Sequence, residues 1–317
     1  MRTAIIWNPS KVERDVLEAG LAQASEATSI DDVRWWETAE EDPGQGAAEA
    51  AIAAGAELLI VAGGDGTVRA VAEHLADTSA ELEMAIVPLG TGNLFARNLD
   101  IPLNDVAAAL ELAVSGEPRP IDVGWVELQR ESGSERHAFV VMVGFGLDAQ
   151  MLAETDDDLK DKAGWLAYVE SLGRAWSASD VVRFTIATDD GVPQDQEGHT
   201  LLIANCGALQ GGMRLLPAAD PSDGELDYLV MSAEGLAQWL GTLKTMLWDN
   251  GLKRFVPSSD EVTDTESTHH GRAVTLAVAL PEALAFEIDG EEVGETDAFT
   301  VSIQPSAIRV RAVPAAG

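Results

Sequence analysis

The chain has 317 residues, 46% of them hydrophobic, so it is globular and long enough for two domains with a sizeable core. Its net charge of −34, from 54 acidic and 20 basic residues, argues against nucleic acid as a partner, because phosphate binding needs a basic surface. A single cysteine, Cys206, excludes a disulfide framework and points to a reduced, cytoplasmic setting.

The opening MRTAIIWNPS has too short an apolar stretch for a signal-peptide core, and no run reaches the roughly 18 apolar residues of a membrane span. Residues 3–7 (TAIIW) predict a buried strand ending at Asn8-Pro9-Ser10. Residues 11–25 predict a helix with Val12, Val16, Leu17 and Leu21 on one face. Trp35 and Trp36 read as one buried and one exposed residue. A helix over 46–54, a strand over 57–62, a helix over 67–76, a strand over 84–88 and a helix over 104–114 follow. This alternation is the pattern of a parallel sheet covered on both faces, and it runs to about residue 118. Short β-like runs then dominate, at 138–143, 182–188, 200–205, 225–231, 273–279, 284–288, 299–303 and 308–313. Helices are expected at about 163–176 and 235–249, and 255–271 reads as the most loop-like stretch. A second, β-rich domain therefore starts near residue 121.

Acidic runs at 37–42, 154–161 and 260–266 describe a solvated, self-repelling surface and also suit high salt. The helix within 235–255 places Leu236, Trp239, Leu240, Leu243, Met246 and Leu247 on one face. Such a face either packs on the β domain or meets acyl chains at a membrane interface. His269 and His270 adjoin in the polar loop without zinc-ligand spacing, and Cys206 reads as a small buried residue.

The segment GGDGT, Gly63 to Thr67, stands where an apolar strand hands over to a helix. Glycines there let backbone N–H groups approach a ligand, and the helix start adds unpaired N–H groups and a positive dipole end. The combination suits phosphate. Asp65 beside a phosphate would be repelled unless a cation bridged them, which implies Mg²⁺ carried by a nucleotide. A second glycine turn, PLGTGN (88–93), follows the next strand. In a parallel sheet both turns, and Asn8-Pro9, lie at the carboxyl ends of the strands, where ligands bind.

Asn8-Pro9, GGDGT and PLGTGN are followed in order by IDVGWVEL (121–128), VGFGLDAQM (143–151), ANCGALQGGMRLLPAADPSDGELDYLV (204–230) and EIDGEEVG (287–294). With these motifs, spread over nearly the whole chain, the sequence resembles the diacylglycerol-kinase-like catalytic family, in particular the soluble bacterial lipid kinases. The resemblance implies an α/β nucleotide-binding domain like that of NAD kinase and phosphofructokinase over 1–120, joined by about 305–317. It implies a β-sandwich domain over 121–304 and an active site in the cleft between. The implied reaction transfers the γ-phosphate of ATP to the hydroxyl of diacylglycerol or a related lipid alcohol, with Mg²⁺. The lipid would be met by peripheral contact at the inner membrane face, and a homodimer is compatible with the sequence.

By this resemblance Asn8, Pro9, Thr38, Gly63, Gly64, Asp65, Gly66, Thr67, Gly90, Thr91, Gly92 and Asn93 correspond to nucleotide contacts, and Asp65 to the residue that organises the nucleotide metal. Glu291, in Asp289-Gly290-Glu291, corresponds to the general base that takes the acceptor's proton. A structural Mg²⁺ is implied at 220–225, with the carboxylate of Asp223, carbonyls of Asp220 and Glu225, and a supporting network of Asp122 and Lys162. With only five lysines in the chain, arginine is expected to meet the phosphates, and Arg69 and Arg97 sit near the two turns. One departure bears on the acceptor. Many diacylglycerol-specific members have Asn-Asp after the second turn, whereas this chain has Asn93-Leu94. A sphingoid base, a glycolipid or phosphatidylglycerol remains an alternative acceptor. A non-catalytic nucleotide- or lipid-binding protein on the same fold is the alternative outside catalysis. NAD kinases and phosphofructokinases share GGDG turns but lack PLGTGN and the paired DG and DGE motifs.

Overall fold

In the computed structural model, which describes residues 1–24, 30, 32–130, 133–146, 181–209, 215–232 and 268–313, strand and helix alternate through the first third of the chain. The order is β1 (Arg2–Trp7), α1 (Arg14–Ala24), β2 (Asp32–Glu37), α2 (Gln45–Ala53), β3 (Leu58–Gly63), α3 (Asp65–Thr78), β4 (Glu83–Pro88), α4 (Leu94–Asn98) and α5 (Val106–Ser115). The strands pair in parallel in the order β2-β1-β3-β4. β1, β3 and β4 are buried on both faces, which is why each is a continuous apolar run. On one face Ile5, Ile60 and Val87 pack with Leu17 and Leu21 of α1 and Leu110 of α5. On the other, Ile6, Val61 and Ile86 pack with Ala48 of α2 and Val71 and Leu75 of α3.

Two of the expectations for side chains here are corrected, one for Val16 and one for the Trp35-Trp36 pair. Val16 is 49% exposed, because the buried stripe of α1 runs through Leu17, Leu21 and Ala24 at helical spacing and Val16 lies beside it. Trp35 and Trp36 are both half-buried. β2 is an edge strand, so its alternating side chains reach opposite faces and each is covered on one side only. Trp35 stacks edge-on against Trp7 at 5.4 Å between centroids, and Trp36 packs into the core of the other face.

The remainder is antiparallel β-structure: β5 (Glu117–Arg130), β6 (Gly133–Phe139), β7 (Met142–Phe145), β8 (Val182–Thr188), β9 (Gln194–Gly198), β10 (Thr200–Ala204), β11 (Leu226–Met231), β12 (Thr268–Ala273), β13 (Thr275–Ile288) and β14 (Glu291–Ala312). Its interior is built from Phe139, Phe145, Leu201, Phe286, Phe299 and neighbouring aliphatics. β14 ties the two halves together. Residues Phe299 to Gln304 pair with Leu128 to Val123 of β5, and after a bulge Ile308 to Ala312 pair with Ile121 to Glu117. Arg309 and Val310 pair in parallel with Glu83 and Met84 of β4, extending the first sheet into the second. One core runs continuously from Ile6 and Val61 to Val123, Met142 and Leu202.

The loop expected over 255–271 is corrected at its end. Thr268 to Gly271 belong to β12, which pairs with β11 in the register Val230↔His269 and Leu229↔His270. Both histidines are exposed on this terminal strand of the sheet, so its polar composition reflects a solvated edge. The rest of that stretch, the helices expected at 163–176 and 235–249, and Lys162 lie outside the described residues. Among the described residues no helix is long and apolar enough to cross a membrane.

Candidate active site

β1 and β3 are neighbours, yet the helices that follow them leave on opposite faces of the sheet. Their carboxyl ends therefore diverge and open a crevice. Gly63 ends β3, and a Cβ there would lie 2.7 Å from that of Thr67, so glycine lets the helix turn back tightly on the strand. Gly64 caps α3 and faces the second turn: a Cβ on Gly90 would stand 2.8 Å from the Gly64 Cα. The two turns touch backbone to backbone, and only glycine permits that approach.

Asp65 binds them together. Its Oδ2 accepts the Asn93 N–H at 2.7 Å and its Oδ1 the Leu94 N–H at 2.6 Å, at the start of α4. Burial pushes the Asp65 carboxyl above its ordinary range, opposed by these same N–H groups. Asn93 adopts a left-handed φ of 48°. Its side-chain oxygen accepts the Gly90 N–H at 2.8 Å, and its amide donates to the Gly90 carbonyl at 2.6 Å. The carboxylate that the sequence assigns to a nucleotide metal thus already organises the second turn, while still lining the ligand cavity.

Glu291 sits on a third turn. Asp289 and Gly290 have φ of 50° and 86° and join β13 to β14 as a two-residue hairpin, the geometry an Asp-Gly pair favours. The buried Asp289 carboxylate accepts N–H groups from Val140, Val141 and Met142 at 2.8 to 2.9 Å, which fixes the turn to the β6–β7 connection. Burial raises the Asp289 carboxyl to about 6, against the opposing pull of Arg69 and the three N–H groups. Beside it, Glu291 projects over the start of α3: a Cβ on Gly66 would be 3.0 Å from Glu291 Oε1, and Arg69 donates a hydrogen bond to Oε2.

A cavity of about 290 Å³ lies between these turns. Gly64, Asp65, Gly66, Gly90, Thr91 and Gly92 form one side and Asp289, Gly290 and Glu291 the other. Leu94, Met142, Val143, Leu202 and Leu209 continue it as an apolar wall. Lys11, in the loop after β1, and Glu287 also line it. The sequence missed Lys11 as a cation in the site, although its place three residues after Asn8 puts it in a loop at the correct end of the sheet. Of the expected arginines, Arg97 instead donates to the Gly92 carbonyl at 2.8 Å and Arg69 pairs with Glu291.

Other expected contacts serve the loops themselves. The Asn8 side-chain oxygen accepts from the Ser10 N–H and hydroxyl at 3.0 and 2.7 Å, and Pro9 is exposed. Thr38 is buried after β2, its N–H on the Trp7 carbonyl at 3.0 Å. Thr67 is buried against Gly63. Asn98 of α4 exchanges hydrogen bonds of 2.9 and 3.0 Å with the backbone of Ala208, carrying the second turn onto the β-rich half.

The 220–225 turn is held by protein groups. Asp220 Oδ1 accepts from the Ser222 N–H and hydroxyl, and Asp223 Oδ1 accepts the Glu225 N–H at 3.0 Å. Asp122 is buried and receives the Gly224 N–H at 2.7 Å and the Ser306 N–H at 2.6 Å. Burial raises its carboxyl, and those two N–H groups oppose the shift. Arg272 of β12 pairs with Asp223, with Glu225 at 2.9 Å and with Asp227 at 3.6 Å. The cation present at these carboxylates is a guanidinium. A divalent ion on Asp223, with the carbonyls of Asp220 and Glu225, would share that carboxylate with Arg272.

Residues 2–126 match the family model for the diacylglycerol kinase catalytic domain, and 141–312 match that for the YegS C-terminal NAD kinase beta sandwich-like domain. A Pseudomonas aeruginosa protein named "Probable lipid kinase YegS-like" is 34% identical over 263 residues, covering 83% of this chain and 78% of that protein. A Bacillus subtilis diacylglycerol kinase is 26% identical over 297 residues, covering 92% of this chain and 89% of that one. A crystal structure of a diacylglycerol kinase from Bacillus anthracis superimposes with a TM-score of 0.70 at 21% identity, covering 99% of this chain and 97% of that one.

Proposed function

Since the chain belongs to the YegS-like and diacylglycerol kinase family of lipid kinases, phosphotransferases with an alcohol acceptor, we propose that it moves the ATP γ-phosphate to the hydroxyl of diacylglycerol or a related lipid alcohol in this cavity. The observation that carries this reading is the composition of the cavity. Two glycine turns face the exposed side chain of Glu291, paired with Arg69, across a gap that continues into an apolar wall. Backbone amides at Gly64 to Gly66 and at Gly92, with Lys11, are suited to a polyphosphate. Leu94, Met142, Leu202 and Leu209 are suited to the first carbons of an acyl chain.

In the proposed step the acceptor oxygen bonds to the γ-phosphorus as the bond to the bridging oxygen of ADP breaks, and the hydroxyl proton passes to the Glu291 carboxylate. Asp65 keeps the second turn in place by its two backbone hydrogen bonds, and the Asp289 hairpin holds Glu291 against the start of α3. Mg²⁺ on the nucleotide would neutralise phosphate charge, with Asp65 the carboxylate best placed to meet it. Leu94 keeps open a sphingoid base, a glycolipid or phosphatidylglycerol, since it presents an apolar group to the cavity. We place the protein in the cytoplasm with peripheral contact at the inner membrane face.

The test is transfer of ³²P from γ-labelled ATP with Mg²⁺ to dioleoylglycerol, monooleoylglycerol, ceramide, sphingosine or phosphatidylglycerol in mixed micelles. Wild type should label one of these, and Glu291→Ala should lose on the order of 10²- to 10⁴-fold in kcat while still binding ATP. Absence of labelled lipid across the panel, with ATP bound, would count against the acceptor class.

A further inference from the structure

Of the charged residues on helix α3, Asp65 and Arg69 stand one turn apart and serve different partners. Asp65 reaches the second glycine turn. Arg69 reaches Glu291 across the gap between the two halves of the chain, over a separation of 222 residues. Its side chain is 18% exposed and that of Glu291 56%, so the guanidinium is the more enclosed member of the pair. Glu291 lines the cavity with Asp289 and Gly66, whereas Arg69 reaches it through Glu291. With one carboxylate oxygen on Arg69 and the other over Gly66, Glu291 is held at the phosphate end of the cavity.

We infer that Arg69 is the positioning residue of the catalytic site, orienting the Glu291 carboxylate toward the acceptor hydroxyl. This inference rests on the role proposed for Glu291. A glutamate on a hairpin tip has several rotamers open to it. One guanidinium N–H on Oε2 selects among them and leaves Oε1 for the proton. The remaining charged groups around this position are Asp65 from α3, Asp289 of the same hairpin, Glu287 from β13 and Lys11 from the β1–α1 loop. Three of these four are acidic, and Arg69 is the cation in direct contact with Glu291.

The experiment is steady-state kinetics of Arg69→Gln, Arg69→Ala, Arg69→Lys and Glu291→Ala between about pH 5 and 9, with the lipid panel above, and ATP titration of each variant. The glutamine and alanine variants should bind ATP within about threefold of wild type and lose about ten- to 100-fold in kcat. Their KM for the lipid should change less than kcat, and lysine should recover part of the lost kcat. An unchanged kcat in Arg69→Gln, with Glu291→Ala inactive, would reduce the contact to a surface ion pair and overturn the inference. So would a raised ATP KM at constant kcat, which would make Arg69 a nucleotide ligand. Wild-type turnover in Glu291→Ala would instead overturn the base assignment beneath it. Should the alanine variant not fold, the glutamine and lysine variants carry the same reading.

Discussion

Gly66 and Gly90 occupy similar turns but face different obstacles, which separates their roles. A methyl on Gly90 would meet the Gly64 backbone at 2.8 Å, and backbone cannot swing aside. Gly90→Ala should force the two turns apart, cost on the order of 1–3 kcal/mol, and weaken ATP binding at least tenfold. A methyl on Gly66 would meet Glu291 Oε1 at 3.0 Å, the far end of a side chain that can rotate away. Gly66→Ala should keep the wild-type Tm within a few degrees while kcat falls. Denaturant melts, ATP titration and kcat for both variants check the pair, and equal effects on ATP binding would contradict the distinction. These glycines were legible in the sequence because close backbone approach admits little else. The partners of Asp65 were not: hydrogen bonds to N–H groups 28 and 29 residues away exist only once two strands are neighbours, and the same carboxylate was assigned to a metal alone.

At the scale of elements, the hairpin bearing Glu291 depends on Asp289, which sequence alone marked only as part of a motif. Its carboxyl is raised to about 6 by burial, above an unfolded value near 4. The folded state therefore holds this proton more tightly than the unfolded chain. The stability that proton contributes is fully present below about pH 4 and is lost as pH rises through about 6. Relative to Asp289→Asn, which has no such titration, wild type should lose on the order of 2–3 kcal/mol across this window and change little above about pH 7. Urea midpoints of both proteins at several pH values measure the difference, and a flat difference would contradict the buried charge. Elements with strong apolar runs, β1, β3 and β4, were legible for the reason that makes them buried on both faces. β2 was not signalled, since Asp32, Arg34 and Glu37 occupy an edge strand. β12 was taken for loop because its histidines are exposed, and that hid the approach of Arg272 to Asp223, Glu225 and Asp227.

Across the whole molecule, the distribution of cations matters more than their number. Arg2, Arg14, Arg34, Arg136, Arg183 and Arg311 each pair with a carboxylate, so much of the basic charge is answered within the fold, and the chain carries a net charge of −34. Such a surface repels itself and repels an anionic bilayer. The Debye length falls from about 10 Å at 0.1 M salt to about 3 Å at 1 M, so both repulsions should weaken together. Raising NaCl from about 0.1 M to about 1 M should therefore raise Tm, and binding to vesicles rich in phosphatidylglycerol should strengthen with salt or Mg²⁺. Binding to phosphatidylcholine vesicles, which lack net charge, should respond far less. This is the opposite of a peripheral protein that docks by a basic patch, whose attraction salt removes. Sedimentation of both vesicle types across the salt series separates the cases. Association with anionic vesicles that declines steadily as salt rises would mean that a local basic surface, rather than the net charge of the chain, governs how the enzyme reaches its lipid.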